Sequence, residues 1–424
     1  MQGVLGSLVS DRFTMLKTIH HTIHHHIRRA VHATRIPAVA AYLLRDEAIS
    51  GKFILGAVAL ALLCANTALA SWYEHLWHTE LSIGLGSWSL TYDLQHWVNE
   101  ALMAIFFLVV GLEIKRELVR GDLRHRKTAL LPIGAALGGM VVPALLYLAF
   151  THGTATAQGW AIPMATDIAL AVGVLSIVGK YVPASLKLFL LTLAIVDDIG
   201  AILVIGLFYG SGFDPTMLLF AGLVCMAVVI LGRKSWLPLW LYMVLGVALW
   251  LALQAGGVHA SIAGALLGLA TPIAARHKPG TPELAERVER HAIPWSTLVI
   301  VPIFVFANTG VALSLSGFSE PGAGAMAAGI LAGLCIGKVV GIVGTSWLLT
   351  RLGWAKLPTG STWRHIGGAG FVAGIGFTVS IFVTELAFGG QPEYENSAKL
   401  SIFAASILSA LVGLVVLRRT KKVG

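Results

Sequence analysis

The sequence predicts an all-α polytopic membrane protein with about twelve transmembrane helices, and three observations carry that expectation. Of the 424 residues, 56% are hydrophobic and only 12% are charged, about half the charged share of a soluble domain. Apolar stretches near the ~20 residues that cross a bilayer recur along the whole length. Lys and Arg gather in alternate connections between those stretches. The length is therefore not read as two or three soluble domains.

Apolar windows bounded by Gly, Pro and charge place the spans at 53–71, 94–114, 129–150, 160–179, 184–209, 215–231, 236–254, 257–273, 294–313, 324–350, 364–388 and 397–417. The expected organisation is a His/Arg-rich segment at 1–42, a transmembrane region at 43–418 and a basic tail at 419–424. Cys64, Cys225 and Cys335 all fall inside apolar stretches, which argues against a disulfide framework. No cleaved secretory leader is expected, because the first apolar stretch begins only at Phe53.

Basic clusters sit before the first span, after the second, and in every second connection from there to the tail. The positive-inside rule then places both termini in the cytoplasm. Topology accounts for the net charge of +9, so no nucleic-acid partner is called for; contact with anionic lipid is the simpler reading. The stretch "TIHHTIHHHIRRAVHATR" is rich in His, but its spacing fits no fixed ligand geometry. It is read as a cytoplasmic amphipathic segment on the membrane surface.

One connection on the opposite side is not plain loop. "TELSIGLGSWSLTYDL" alternates Leu81, Ile83, Leu85 and then Trp88, Leu90, Tyr92 about Gly86-Ser87, the pattern of a small periplasmic β-hairpin over 79–92. A lone two-stranded hairpin leaves open edges. Pairing with the same hairpin of a second subunit would satisfy them, and a homodimer is preferred over a hairpin lying on its own protein.

Four ionisable residues lie well inside spans: Asp167, Asp197, Asp198 and Lys338. Each opposes insertion by about 2.5–3.5 kcal/mol at a helix centre. A structural salt bridge would explain one Asp with Lys338, but not three acids against one base. Asp197 and Asp198 are adjacent in "LAIVDDIGAILVIGLFY" and point about 100° apart on a helix. One is expected to face a partner helix and the other a cavity, with Lys338 as countercharge for one of them.

Two spans look deliberately broken. "AIPMATDIALAVG" carries Pro163, Thr166 and Asp167, and "GGAGFVAGIGFTVSIF" carries five glycines from Gly367 to Gly376. Interrupted helices expose half-helix ends near the midplane, and such backbone is tolerated only where it lines a cavity or is buried in protein. Close helix packing is the alternative reading of the glycines. The breaks fall in the fourth and eleventh spans, the middle positions of spans 3–5 and 10–12, as an inverted repeat would have them. Oxygen ligands without sulfur or imidazole suit a hard cation. Burial penalises the charged form, so a carboxylate out of water also takes up protons readily. A cation and protons would then compete for the same oxygens.

At these residues the chain resembles a known family. "ALAIVDDIGAI", "IPMATDIALAVGVL", "FFLVVGLEIKREL", "GGVHASIAGALLG", "PIFVFANTGV" and "IGKVVGI" together look like the bacterial NhaA-type sodium/proton antiporters, over roughly Leu44 to Arg418. Those antiporters are among the cases behind the inverted-repeat pattern, so the two readings are not independent. Nothing carries over to residues 1 to about 40.

The resemblance implies a secondary carrier in the bacterial inner membrane, not an enzyme and without a cofactor. It would exchange cytoplasmic Na+ or Li+ for external H+, electrogenically and under pH regulation, for pH homeostasis. It implies that Asp197 and Asp198 bind the sodium ion and the exchanged protons, with Asp197 bridged to Lys338. It implies that Asp167 and Thr166 belong to the unwound fourth helix, the acid balancing the facing helix ends. Glu113 and Glu117 resemble acids near the ion entrance linked to pH activation, and His259 and Glu289 match positions implicated in pH response. Each of these four also has a plainer reading, as helix-end charge pairing, a solvated loop acid or a packed histidine. The family pattern has a histidine where this chain has Ile293. Glu100, Asp214 and Glu385, near span ends, are read as interfacial, with Glu100 also a candidate for the outer funnel.

Two rivals remain. An intramembrane aspartyl protease needs carboxylates facing each other from different helices, whereas this pair is contiguous. A cation channel needs an open pore, and Lys338 would be a poor lining for one.

Overall fold

A computed structural model describes residues 47–85, 88–210, 212–233, 237–273, 283–314 and 316–420. The expected His/Arg-rich segment at 1–42, the hairpin turn Gly86-Ser87 and the last residues of the basic tail lie outside the described residues.

The chain opens with α1 (Glu47–Ala65) and the short α2 (Ala70–Trp77), then β1 (Glu80–Leu85) and β2 (Trp88–Asp93). Next come α3 (Leu94–Val119), α4 (Arg126–Thr151), a 3-10 segment (Ala155–Met164), α5 (Ile168–Ile177), α6 (Ala184–Phe208) and α7 (Pro215–Arg233). They are followed by α8 (Leu239–Ala255), α9 (Ile262–Ala270), α10 (Leu284–Asn308) and α11 (Ala323–Arg351). The last three are α12 (Trp363–Ala373), α13 (Phe377–Phe388) and α14 (Pro392–Arg418).

Among the described residues, seven helices are long and apolar enough to cross a membrane, and counting each bent pair as one span raises this to ten. The other two expected windows hold shorter helices. The window 236–254 forms α8, of 17 residues, and 257–273 yields only the nine-residue α9. Gly257 adopts φ +77° after α8, and in the irregular stretch that follows Ser261 N–H donates to Glu100 Oε2 at 2.9 Å.

The fourth and eleventh expected spans are broken. The Ala155–Met164 segment meets α5 at 47°, and α12 meets α13 at 44°. Each break lies between two continuous helices, α4 and α6 on one side and α11 and α14 on the other, so the order helix, broken helix, helix occurs twice. A third break was not expected: α1 turns by 113° into α2. Asn66 sits at that corner, its amide donating to Leu62 O and Val311 O and its carbonyl accepting from Leu313 N–H. The expected hairpin is present, β1 pairing antiparallel with β2 from Glu80↔Asp93 to Leu85↔Trp88. Leu81 and Ile83 on β1 are exposed.

Small residues bring helices close enough for backbones to touch, the usual device where apolar side chains gain nothing over lipid. A Cβ on Gly264 of α9 would meet Ala104 O of α3 at 1.7 Å, and one on Gly341 of α11 would meet Gly138 O of α4 at 2.1 Å. The second contact presses α11 against the core, where its lysine is used. Gly264→Ala is therefore expected to lower stability by about 1–3 kcal/mol through overpacking. Gly222→Ala in α7, where nothing lies within 4 Å, should not; thermal unfolding of the two variants in detergent checks this.

Candidate functional site

The site is built where α6, α11 and the two broken helices meet. Apolar residues fill α6 around Asp197 and Asp198, and both acids are buried, at 1% and 8% exposure. Being adjacent, they diverge by about 100°. Asp197 turns to α11, where Lys338 Nζ donates to its Oδ2 at 2.6 Å, and neither side chain of the pair reaches solvent. A π-helical turn, Gly333–Gly337, immediately precedes Lys338 and widens α11 there. Thr166 faces the same carboxylate, yet Asp197 Oδ1 has no well-formed hydrogen bond. Asp198 makes no hydrogen bond to any described residue; the charges acting on it are Asp197, Glu113, Asp167 and Lys338.

The broken helices cross beside this pair and satisfy one another. Asp167 N–H donates to Ile375 O at 2.6 Å, and the Thr166 hydroxyl donates to Ala373 O at 2.8 Å, at the end of α12. The Asp167 carboxylate serves two helix starts. Its Oδ1 accepts from Leu170 N–H of α5 at 3.0 Å, and its Oδ2 accepts from the N–H and hydroxyl of Thr378 in α13 at 3.2 and 2.7 Å. One negative charge thus faces the positive ends of two half-helices, and backbone groups freed by the breaks regain partners.

The structure brings together Asp167, Thr166, Asp197, Asp198 and Lys338, three acids and one base from the break before α5, from α6 and from α11. The other four expected residues fall elsewhere, in two places. Glu113 and Glu117 lie at the Val119 end of α3 near Glu289 of α10. Glu113 is exposed, whereas Glu289 is buried and ion-paired with Arg116. Arg120 pairs with Glu283 at 2.7 Å beside them. His259 is at the opposite end of α3, where its Nδ1 lies 2.9 Å from Glu100 Oε1 and its Nε2 lies 2.9 Å from Tyr209 O. Glu100 and Glu113 are 13 residues apart on α3, about 20 Å.

Some partners were not read from the sequence. Thr378 is one, although a hydroxyl just after Gly376 at the start of a half-helix was a usable signal. Glu100, expected at an interface, is buried at 5% exposure. Glu385, expected at an interface, is ion-paired with the buried Lys399, which also meets the half-buried Glu395; the Glu-to-Lys spacing of four from Glu395 to Lys399 was visible. Among the described residues no group of three or more His, Cys, Asp or Glu is arranged to hold a metal ion.

The family model Na+/H+ antiporter 1 matches residues 41–417. The Na(+)/H(+) antiporter NhaA 2 of Clostridium beijerinckii is 45% identical over 386 residues, covering 91% of this chain and 95% of that protein. The Na(+)/H(+) antiporter NhaA of Rhodospirillum rubrum is 43% identical over 396 residues, covering 91% and 98%. A solved structure of the sodium proton antiporter MjNhaP1 from Methanocaldococcus jannaschii aligns over 88% of this chain and 98% of its own, with a TM-score of 0.46 and 14% identity. On the family match over nearly the whole span from α1 to α14, the chain belongs to the Na+/H+ antiporter 1 family.

Proposed function

We propose that this chain exchanges cytoplasmic Na+ or Li+ for external H+ by alternating access, with the cation and protons competing for Asp198 and Asp197. The observation that carries the reading is a buried carboxylate, Asp198, with no hydrogen bond to any described residue, beside a second, Asp197, whose Oδ1 lacks a well-formed one. Those oxygens, with Thr166 close by, offer hard ligands to a small cation. A site of this kind, closed by a buried lysine pair, suits a carrier better than an open pore.

Charge bookkeeping then makes the exchange electrogenic. Without sodium, Asp198 is protonated and Asp197 is balanced by the Lys338 ammonium, so the group is neutral. When sodium draws both carboxylates, Asp198 releases its proton, Lys338 loses its countercharge and releases another, and the group carries one net negative charge. More than one proton leaves for each sodium that enters. The proton gradient sets the working direction, outward for sodium.

Asp198→Asn removes the free ligand and should abolish exchange while the purified protein keeps its melting temperature; sodium-driven collapse of a pH gradient in proteoliposomes is the readout, and retained exchange refutes the assignment. Lys338→Ala should both slow exchange and lower stability by about 3–5 kcal/mol, because it strands Asp197 without its partner.

The reading extends to regulation, assembly and location. Glu113, Glu117 and Glu289 around Arg116 form a charge cluster at the end of α3 expected to face the cytoplasm, and its acids, rather than His259, are assigned to pH activation. Glu289→Gln takes a negative charge from the cluster, so the remaining acids ionise in more acidic solution. Half-activation should move down by about one pH unit, the size expected of one nearby charge; an unchanged pH profile of exchange overturns the assignment. The hairpin, with its open edges and exposed Leu81 and Ile83, is assigned to homodimer contact. Replacing residues 80–93 by a Gly-Ser linker should yield monomers by native mass spectrometry where the intact chain gives dimers. The basic connections support a reading in which both termini lie on the cytoplasmic side of a bacterial inner membrane, against anionic lipid.

A further inference from the structure

Three charged side chains meet away from the helix crossing, a buried lysine between two half-buried carboxylates, and the exchange chemistry above uses none of them. Lys399, near the start of α14, is 5% exposed. Its ammonium donates to Glu385 Oε1 of α13 and, at 3.3 Å, to Glu395 Oε2 one turn earlier on α14. These two carboxylates are the charged groups acting on it.

The two pairs differ in kind. Glu395 and Lys399 are an ordinary same-helix pair at spacing i,i+4, with the acid in the favourable first turn. Glu385 stands in the last turn of α13, where the helix's own carbonyls oppose a carboxylate. Burying such a charge is costly even when paired, and an apolar side chain would serve stability as well. What the Glu385–Lys399 pair adds is a fixed tie between the Phe388 end of α13 and the neighbouring α14.

The other end of α13 is the helix crossing. Thr378, in its first turn, gives both its N–H and its hydroxyl to Asp167 Oδ2. Seven residues of continuous helix, about 10 Å, separate Thr378 from Glu385. A shift of α13 along its axis at one end is therefore a shift at the other.

We propose that Lys399 is a positioning residue for the exchange: its ion pair with Glu385 fixes α13, and α13 in turn holds Thr378 against Asp167 beside the ion site. This rests on the exchange reading above. The two carboxylates that share the lysine then differ in role: Glu385 ties α13 to α14, and Glu395, on the same helix as Lys399, completes the charge balance.

The test uses variants that leave no charge buried alone. Glu385→Gln breaks the tie between α13 and α14 while Lys399 keeps Glu395; Glu395→Gln removes the same-helix pair and keeps the tie. Exchange by the full chain in proteoliposomes is titrated with sodium at a pH where the unaltered protein is active. Glu385→Gln is expected to raise the sodium concentration for half-maximal response about 10-fold, the lower end of what outer partners of a metal ligand control, without changing the melting temperature by more than Glu395→Gln does. Glu395→Gln and Lys399→Arg, which both keep a cation on Glu385, should stay near the original value. An unchanged half-maximal sodium in Glu385→Gln, or equal shifts in Glu385→Gln and Glu395→Gln, overturns the proposal. Absence of any sodium response in the unaltered protein refutes the exchange reading itself.

Discussion

A lysine wholly out of water holds one of two adjacent aspartates at 2.6 Å, and most of the surrounding architecture follows from making that arrangement tolerable. Lys338 can reach Asp197 because α11 widens in a π turn just before it and lies backbone to backbone on α4. Since α6 points consecutive side chains in different directions, pairing Asp197 leaves Asp198 facing away and unpartnered. The pair is a poor device for stability, as buried ion pairs generally are. Its consequence is to fix one carboxylate so that the other stays available.

The crossing of the broken helices solves the complementary problem. Breaking two helices in the membrane interior frees backbone donors and acceptors that lipid cannot satisfy. Here one break answers the other: Thr166 and Asp167 bind Ala373 O and Ile375 O, and Thr378 and Leu170 bind the Asp167 carboxylate. The three central acids therefore have different employments. Asp167 is consumed by helix ends, Asp197 by Lys338, and Asp198 by no hydrogen bond to any described residue. A cation that entered would find Asp198, the free oxygen of Asp197 and Thr166, all on elements whose own ends are held by mutual contacts.

Much of this was legible in the sequence because charges in an apolar span have so few explanations. Asp167, Asp197, Asp198 and Lys338 stood out for their cost, and Pro163 and the Gly367–Gly376 run marked the breaks. The hairpin was legible from period-two alternation. Other features were hidden for physical reasons. The irregular entry to α9 is held by a polar contact between Glu100 and Ser261, two residues far apart in the chain. The corner between α1 and α2 depends on Asn66 finding Val311 and Leu313. Glu385 looked interfacial because it lies near a span end, and only packing of α13 on α14 shows that it pairs with the buried Lys399. His259 and the Glu113–Glu289 cluster, grouped by resemblance, lie at opposite ends of α3.

The central claim is that sodium and protons exclude one another at the paired aspartates. It is tested most directly by adding sodium to the purified protein in weakly buffered detergent solution and measuring, together, the sodium bound and the protons released. The account expects proton release that rises and saturates with sodium binding, at more than one proton per sodium. Sodium that binds with no proton release would contradict it.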